Sequence, residues 1–254
     1  MPLRRRLELL THQLVLKRRL PAPFEGVKLY VSSEAGLRYL KPSLTNVDPG
    51  LLRLVGEFVQ PGDVVWDIGG NIGLFTFSAA SRAGADGRVI SVEADSWNVN
   101  LLRRSARLQR STSAKVDVIP AAVSDRLGFS TFNIANRNRS TNALEGFGST
   151  QTGGFRESQT VPTVSLNSLT EYFPSPQILK IDIEGAEALA LTAADEVLRS
   201  RPLVICEVDA RNATAVRDLL LSYGYGLFDA DVSPPRTPAG EVLPYNVLAI
   251  PDQD

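Results

Sequence analysis

Asp67-Ile68-Gly69-Gly70-Asn71-Ile72-Gly73 is the densest chemical signal in the chain. An apolar run, Val64 to Ile68, ends with an acid inside it, glycines follow, and a helical pattern runs from Ile72 to Arg82. Such a turn lets a ligand approach the backbone closely and offers it the unpaired N–H groups of a helix N-terminus. Two classes of cofactor use it. A dinucleotide needs G-x-G-x-x-G so that its pyrophosphate rests on the helix, and here Gly69, Asn71 and Gly73 leave the third glycine missing. Asp67 would repel a pyrophosphate but attract an ammonium and a sulfonium, so charge points to S-adenosylmethionine. The plain alternative is a helix-capping acid with turn glycines.

A second β-rich run, Val89 to Glu93, ends in an acid twenty residues beyond Gly73. A carboxylate there can accept hydrogen bonds from both hydroxyls of an adenosine ribose. A third run ends in Pro120-Ala121-Ala122-Val123-Ser124-Asp125, whose small residues leave space for a flat adenine. The fourth run, Ile178 to Ile183, reads as a strand, and alternation puts Lys180, Asp182 and Glu184 on one face. Central parallel strands are normally apolar on both faces, so a charged row at the carboxyl end needs a reason. Gly185 and Glu187 follow in the next helix's first turn, where Glu187 would suit the helix dipole. Glu207 and Asp209 end a fifth run, so several carboxylates meet at one rim. A Lys180 ion pair with helix caps is the plainer reading of the same residues.

These residues need a scaffold that gathers strand ends. Short apolar runs separated by helical stretches imply βαβ units and a buried, mainly parallel sheet. Helices are expected at about Ser96–Gln109, Ala186–Arg199 and Ala213–Tyr223, with a late strand at Asn246–Ile250. Asn136–Gln159 breaks the alternation, carrying Arg137, Arg139 and Arg156 among Asn, Ser, Thr and Gly. The flanking runs, Phe129–Ile134 and Thr160–Val164, read as a β-hairpin, and a connection this long is a lid, a binding loop or a disordered segment.

The 254 residues are 43% hydrophobic and 22% charged with a formal net charge of -1, which is globular composition with no global pull toward nucleic acid. One cysteine, Cys206, excludes a disulfide framework and a cysteine-rich zinc site; one histidine, His12, excludes a His-rich metal site. No apolar run is long enough to span a membrane, and a cytoplasmic location is expected. Residues 1–20 hold six basic side chains against Glu8, with Leu3, Leu7, Leu10 and Leu14 at helical spacing up to Pro21. That basic amphipathic helix could contact an anionic membrane surface, or bury its leucines on the domain or in a homodimer.

The glycine turn from Asp67 to Gly73, Val92-Glu93, Ala121–Asp125 and the run Leu179-Lys180-Ile181-Asp182-Ile183-Glu184-Gly185-Ala186-Glu187 together resemble the FkbM family of S-adenosylmethionine-dependent methyltransferases. The resemblance spans roughly Leu51 to Asp209, and Asn167 departs from it where the family usually has Asp. It implies a Rossmann-like class I fold with a seven-stranded, mainly parallel sheet whose last strand is antiparallel, and helices on both faces. It also implies methyl transfer to a hydroxyl of a sugar or other small natural product. By position, Asp67, Gly69, Asn71 and Gly73 would hold the methionine end of the cofactor and Glu93 its ribose. Gly70, Ala94 and Ala122 complete the expected cofactor set. Asp182, Glu184 and Glu187 would line the acceptor side and, with Lys180, form the expected catalytic set. The expected division is an N-terminal helix and β-rich extension over 1–48 and a methyltransferase domain over 49–254, with an insertion near 129–164.

An alcohol acceptor must lose a proton, and with His12 outside the motifs the base should be a carboxylate, Asp182 first and Glu184 second. A competing role is a divalent oxygen-ligand site from Asp182, Glu184 and Glu207, suited to Mg2+ rather than zinc. Three rival functions remain: an RNA or protein methyltransferase, a dinucleotide-dependent oxidoreductase, and a non-catalytic cofactor-binding protein. Near-neutral charge and an acidic core weigh against nucleic acid, the glycine spacing against a dinucleotide, and the intact acids against a non-catalytic role.

Overall fold

The computed structural model describes residues 11, 14–24, 26–136, 138–148, 153–234 and 236–252. The chain begins with an antiparallel ribbon of β1 (Val15–Arg19) and β2 (Lys28–Ser32). This corrects the helix read as far as Pro21. Each β1 residue has a cross-strand partner, and Lys17 sits opposite Tyr30 with its ammonium 5.3 Å from the ring centre; a short charged helix has little to stabilise it alone. Leu3, Leu7, Leu10 and His12, on which the membrane and dimer expectations rested, lie outside the described residues. Two 3-10 turns, Ser33–Ala35 and Leu37–Leu40, lead to α1 (Pro49–Phe58). Asp48 caps that helix by accepting from the Leu51 N–H at 3.0 Å, and proline suits the first helical turn.

Strands and helices then alternate: β3 (Val64–Ile68), α2 (Leu74–Ala83), β4 (Arg88–Glu93), α3 (Ser96–Ala106) and β5 (Lys115–Pro120). A separate four-stranded sheet follows, built from β6 (Ala122–Val123), β7 (Gly128–Ala135), β8 (Ala143–Leu144) and β9 (Phe155–Val164). β7 and β9 pair antiparallel as the hairpin, each longer than its sequence pattern. The chain continues through α4 (Leu166–Thr170), β10 (Ile178–Ile181), α5 (Glu187–Thr192), α6 (Asp195–Arg199) and β11 (Leu203–Glu207). It ends with α7 (Ala213–Ser222), β12 (Tyr225–Asp229) and β13 (Asn246–Pro251). The single helix expected over 186–199 is two, because Ala193 and Ala194 leave helical geometry between them.

The main sheet has the order β12-β13-β11-β10-β3-β4-β5, and β13 alone runs antiparallel to its neighbours. This is the seven-stranded Rossmann-like α/β sheet expected. Trp66, Ile68, Ile90, Val92, Leu179 and Ile181 pack on one face, while Val65, Val89 and Ile178 pack on the other beside α2 and the N-terminal segment. Both faces are therefore covered, as parallel strands require. The chain order reverses where β10 lies beside β3, which opens a crevice at their carboxyl ends. No helix among the described residues is long and apolar enough to cross a membrane.

Candidate active site

The carboxyl ends of β3, β4, β10 and β11 surround a cavity of about 400 Å³ at that reversal. Gly69, Asn71, Glu93, Ala94, Ala122, Asp182 and Glu184 line it. Asp67, Gly70, Gly73, Lys180 and Glu187 stand behind its wall, which differs from the expectation that they touch cofactor or acceptor.

The reason begins in β10. The strand ends at Ile181, so alternation does not carry through Glu184 and the one-faced charged row is corrected. Lys180 remains in the strand, opposite Asp67 of β3 in register. Its Nζ lies 3.2 Å from Asp67 and 3.3 Å from Asp182, and donates to the Gly69 carbonyl at 2.9 Å. Asp67 is fully buried and also accepts from the Thr76 hydroxyl at 2.5 Å. Burial alone would lower the Lys180 pKa, but the Asp182 and Asp67 charges outweigh it and hold the side chain as an ammonium. Lys180 and Asp67 thus form a strut beneath the cavity. Gly69, at φ 84°, lets the two loops touch: a Cβ there would lie 1.8 Å from the Asp182 carbonyl oxygen.

Glu93 closes the adjoining side. Its oxygens accept from the Asn71 N–H at 2.6 Å and the Asp95 N–H at 2.8 Å, and burial raises its pKa to about 8. Each carboxylate oxygen has lone pairs beyond its one N–H bond. The Asn71 and Asn98 side-chain oxygens belong to the same lining and have no hydrogen-bond partner among the described residues. Ala94, Ala121 and Ala122 with Val92 and Phe132 add small and apolar surface to the same lining. An acid for a ribose diol, orphan amide oxygens and apolar surface for a flat base together fit the adenosine of S-adenosylmethionine.

The opposite rim is acidic. Asp182, Glu184 and Glu207 each offer one oxygen, all within 4.8 Å of one another. Burial, then the charges of Asp182 and Glu207, raise the Glu184 pKa to about 8; burial and Asp182 raise Glu207 to about 7. The Tyr245 hydroxyl donates to Glu207. Glu184 has φ 56° and Asn71 φ 51°, a left-handed backbone that side-chain-bearing residues seldom adopt. Both line the cavity, so backbone strain is concentrated there. Glu187 instead accepts from the Ile183 and Gly185 N–H groups at 3.2 and 3.0 Å and from the Asn212 amide at 2.6 Å. It fixes the turn carrying Glu184 from behind, and does not line the acceptor side as the resemblance implied.

Sequence reasoning missed Arg38, Asp48, Asn98, Asn142 and Tyr245, all of which line the cavity, and took Arg139 only as part of a basic loop. The Arg139 side chain is 11% exposed, donates from Nε to Glu34 at 2.7 Å, and places Nη1 2.7 Å from Asp95. Asn142 also donates to Asp95 at 2.7 Å. These bonds fasten the segment before β8 to the end of β4 and to the N-terminal turns. Only the Ser/Thr/Asn/Gly richness of the loop marked it, since none of these partners is near Arg139 in sequence. Arg137 lies outside the described residues.

Residues 67–227 match the methyltransferase FkbM domain. Hexuronic acid methyltransferase AglP of Haloferax volcanii is 29% identical over 162 residues, which are 63% of this chain and 62% of that relative's own length. Among solved structures, yhhF of Escherichia coli, a methyltransferase by designation, superposes with a TM-score of 0.50 at 13% identity, covering 94% of this chain and 100% of its own. At that identity the similarity is one of fold. Methyltransferase FkbM from Methylobacillus flagellatus KT gives a TM-score of 0.48 at 14% identity over 78% of this chain and 50% of its own. The matched residues run from the acid of the glycine turn, through Glu93 and the Lys180–Glu187 run, to the sixth strand of the sheet, and the chain belongs to the FkbM family of S-adenosylmethionine-dependent methyltransferases.

Proposed function

We propose that the chain methylates a hydroxyl of a sugar or comparable small polyol. The observation that carries this reading is Glu184, a carboxylate with its pKa raised to about 8 in strained backbone, in the same cavity as the residues that fit adenosine. The sugar substrate in the name of the Haloferax volcanii relative supports the acceptor class.

S-Adenosylmethionine, when bound, supplies a methyl group activated by its sulfonium. The chain's own part is to align the acceptor oxygen and take its proton. Alignment of this kind contributes about 7–11 kcal/mol in favourable systems. A base that titrates near neutrality is matched to the proton transfer, so Glu184 receives the proton at a carboxylate oxygen. Asp182, tied to Lys180, accepts from a hydroxyl of the acceptor and orients it, ahead of any role as base. Glu207 and Tyr245 supply a second polar anchor. A second reading rests on the three carboxylate oxygens within 4.8 Å: they suit a divalent cation such as Mg2+, which would polarise a diol.

The test is methyl-labelled S-adenosylmethionine with a panel of sugars, with and without EDTA. Label should enter a sugar, and Glu184→Gln should lower kcat about 10²–10⁴-fold with S-adenosylhomocysteine binding unchanged. Loss with EDTA and rescue by magnesium would favour the metal reading. Label in RNA or protein would overturn the acceptor class.

A further inference from the structure

The methionine end of S-adenosylmethionine is a zwitterion, and a site that holds it needs a negative and a positive group on one wall. Asp67, the acid at the head of the glycine turn, is fully buried against Lys180 and Thr76, and it does not reach the cavity. Of the two arginines in the lining, Arg139 is paired with Glu34 and Asp95, which leaves Arg38, with Asp48 as a neighbouring acid, and both precede the stretch matched to the family.

Arg38 belongs to the 3-10 turn Leu37–Leu40, and its guanidinium lies 5.5 Å from the centre of the Tyr39 ring. It donates to the Val47 carbonyl over a long 3.3 Å and hydrogen-bonds the Tyr39 hydroxyl, and among the described residues it has no carboxylate partner. A guanidinium has five N–H donors in a planar fork, so most of its capacity is unused. Asp48 spends Oδ1 on the Leu51 N–H as the cap of α1, which leaves Oδ2. The two side chains flank the same end of the cavity. The buried Tyr39 hydroxyl, whose pKa burial raises, feels the charges of Arg38, Asp48 and Lys180 together, and the Lys180 ammonium bonds the carbonyl of Gly69, a residue of the cavity wall.

We infer that Arg38 and Asp48 form the clamp for the methionine end of the cofactor, Arg38 donating to its carboxylate and Asp48 accepting from its ammonium. This rests on the S-adenosylmethionine reading of the cavity. The adenosine then lies toward Glu93, and the sulfonium between the two ends faces the acid rim. A guanidinium–carboxylate pair is a charge-assisted contact that a lysine at the same place reproduces only in part.

Binding without turnover tests it. Calorimetry would compare S-adenosylhomocysteine with 5′-methylthioadenosine, which lacks the amino-acid end, and with decarboxylated S-adenosylhomocysteine. Arg38→Ala should weaken S-adenosylhomocysteine by tenfold or more and leave the other two unchanged, and Arg38→Lys should recover part of the loss. Asp48→Asn keeps the helix cap and should weaken both ligands that carry an ammonium while sparing methylthioadenosine. Unchanged methylthioadenosine binding also certifies that each variant is folded. If Arg38→Ala and Asp48→Asn bind S-adenosylhomocysteine as tightly as the parent, the clamp is wrong. If the parent binds none of the three ligands, the cofactor reading itself has failed.

Discussion

Lys180 is the buried cation of an otherwise acidic cluster. It stands between Asp67, fully buried, and Asp182, which reaches the cavity. Removing one partner of a buried ion pair costs about 3–5 kcal/mol, because the charge left behind has lost its solvent as well as its counter-ion. Lys180→Met should therefore lower the unfolding free energy by that amount in a urea titration, and adding Asp67→Asn should restore much of it. An unchanged midpoint in the single variant would show that Asp67 is neutral in the folded chain. The Lys180–Glu187 run is plain in the sequence, and so is its pairing of acids with a lysine. What each side chain faces is not. Lys180 meets the Gly69 carbonyl across 111 residues of chain, and only the register of β10 on β3 brings that about.

The β6–β9 sheet is the element that turns an open crevice into a walled cavity. Phe132, Ile134, Leu144 and Val161 form its own small core, with Ala186 from the turn after β10 packed into it. Its second attachment is Arg139 on Asp95 and Glu34. Without Arg139 the buried Asp95 loses its counter-charge, so Arg139→Ala should speed amide exchange over residues 138–145. The factor is on the order of a hundredfold, which is what about 3 kcal/mol of lost pairing gives. The amides of β3 and β4 should stay protected, and equal acceleration there would mean a general loss of stability. The hairpin strands themselves are readable, being β-rich runs on either side of a polar loop. The early end of β10 is not, because Ile183 continues the apolar alternation past the point where the chain turns. β1 is misread for a related reason: two apolar and three basic residues in a row carry little periodicity, and the ribbon exists through its partner β2.

Across the described residues, burial holds five carboxyl groups above their ordinary range, Asp67, Glu93, Glu184, Glu187 and Glu207, with Glu93 and Glu184 at about 8 and Glu207 at about 7. The folded chain keeps protons on them that the unfolded chain has released, so stability falls as pH rises from about 4.5 to about 8. Thermal unfolding of the ligand-free protein should show a midpoint that declines over this window. Glu184→Gln, which has no proton to lose, should flatten the decline, and a slope identical to the parent's would refute the raised pKa. The mainly parallel sheet follows from the alternation of apolar runs and helices. The pooling of acids at one rim follows from where those runs end, which is why this much of the site can be read without coordinates. The walls of the cavity have a different origin from its floor. Gly69, Glu93 and Asp182 come from the ends of packed strands, whereas Phe132 to Leu144 and Tyr245 come from a detour within the matched stretch and from after it. Floor and walls can therefore change separately over evolutionary time. Exchanging a wall would redirect the enzyme to a differently shaped molecule while the methyl-transfer machinery beneath stayed as it is.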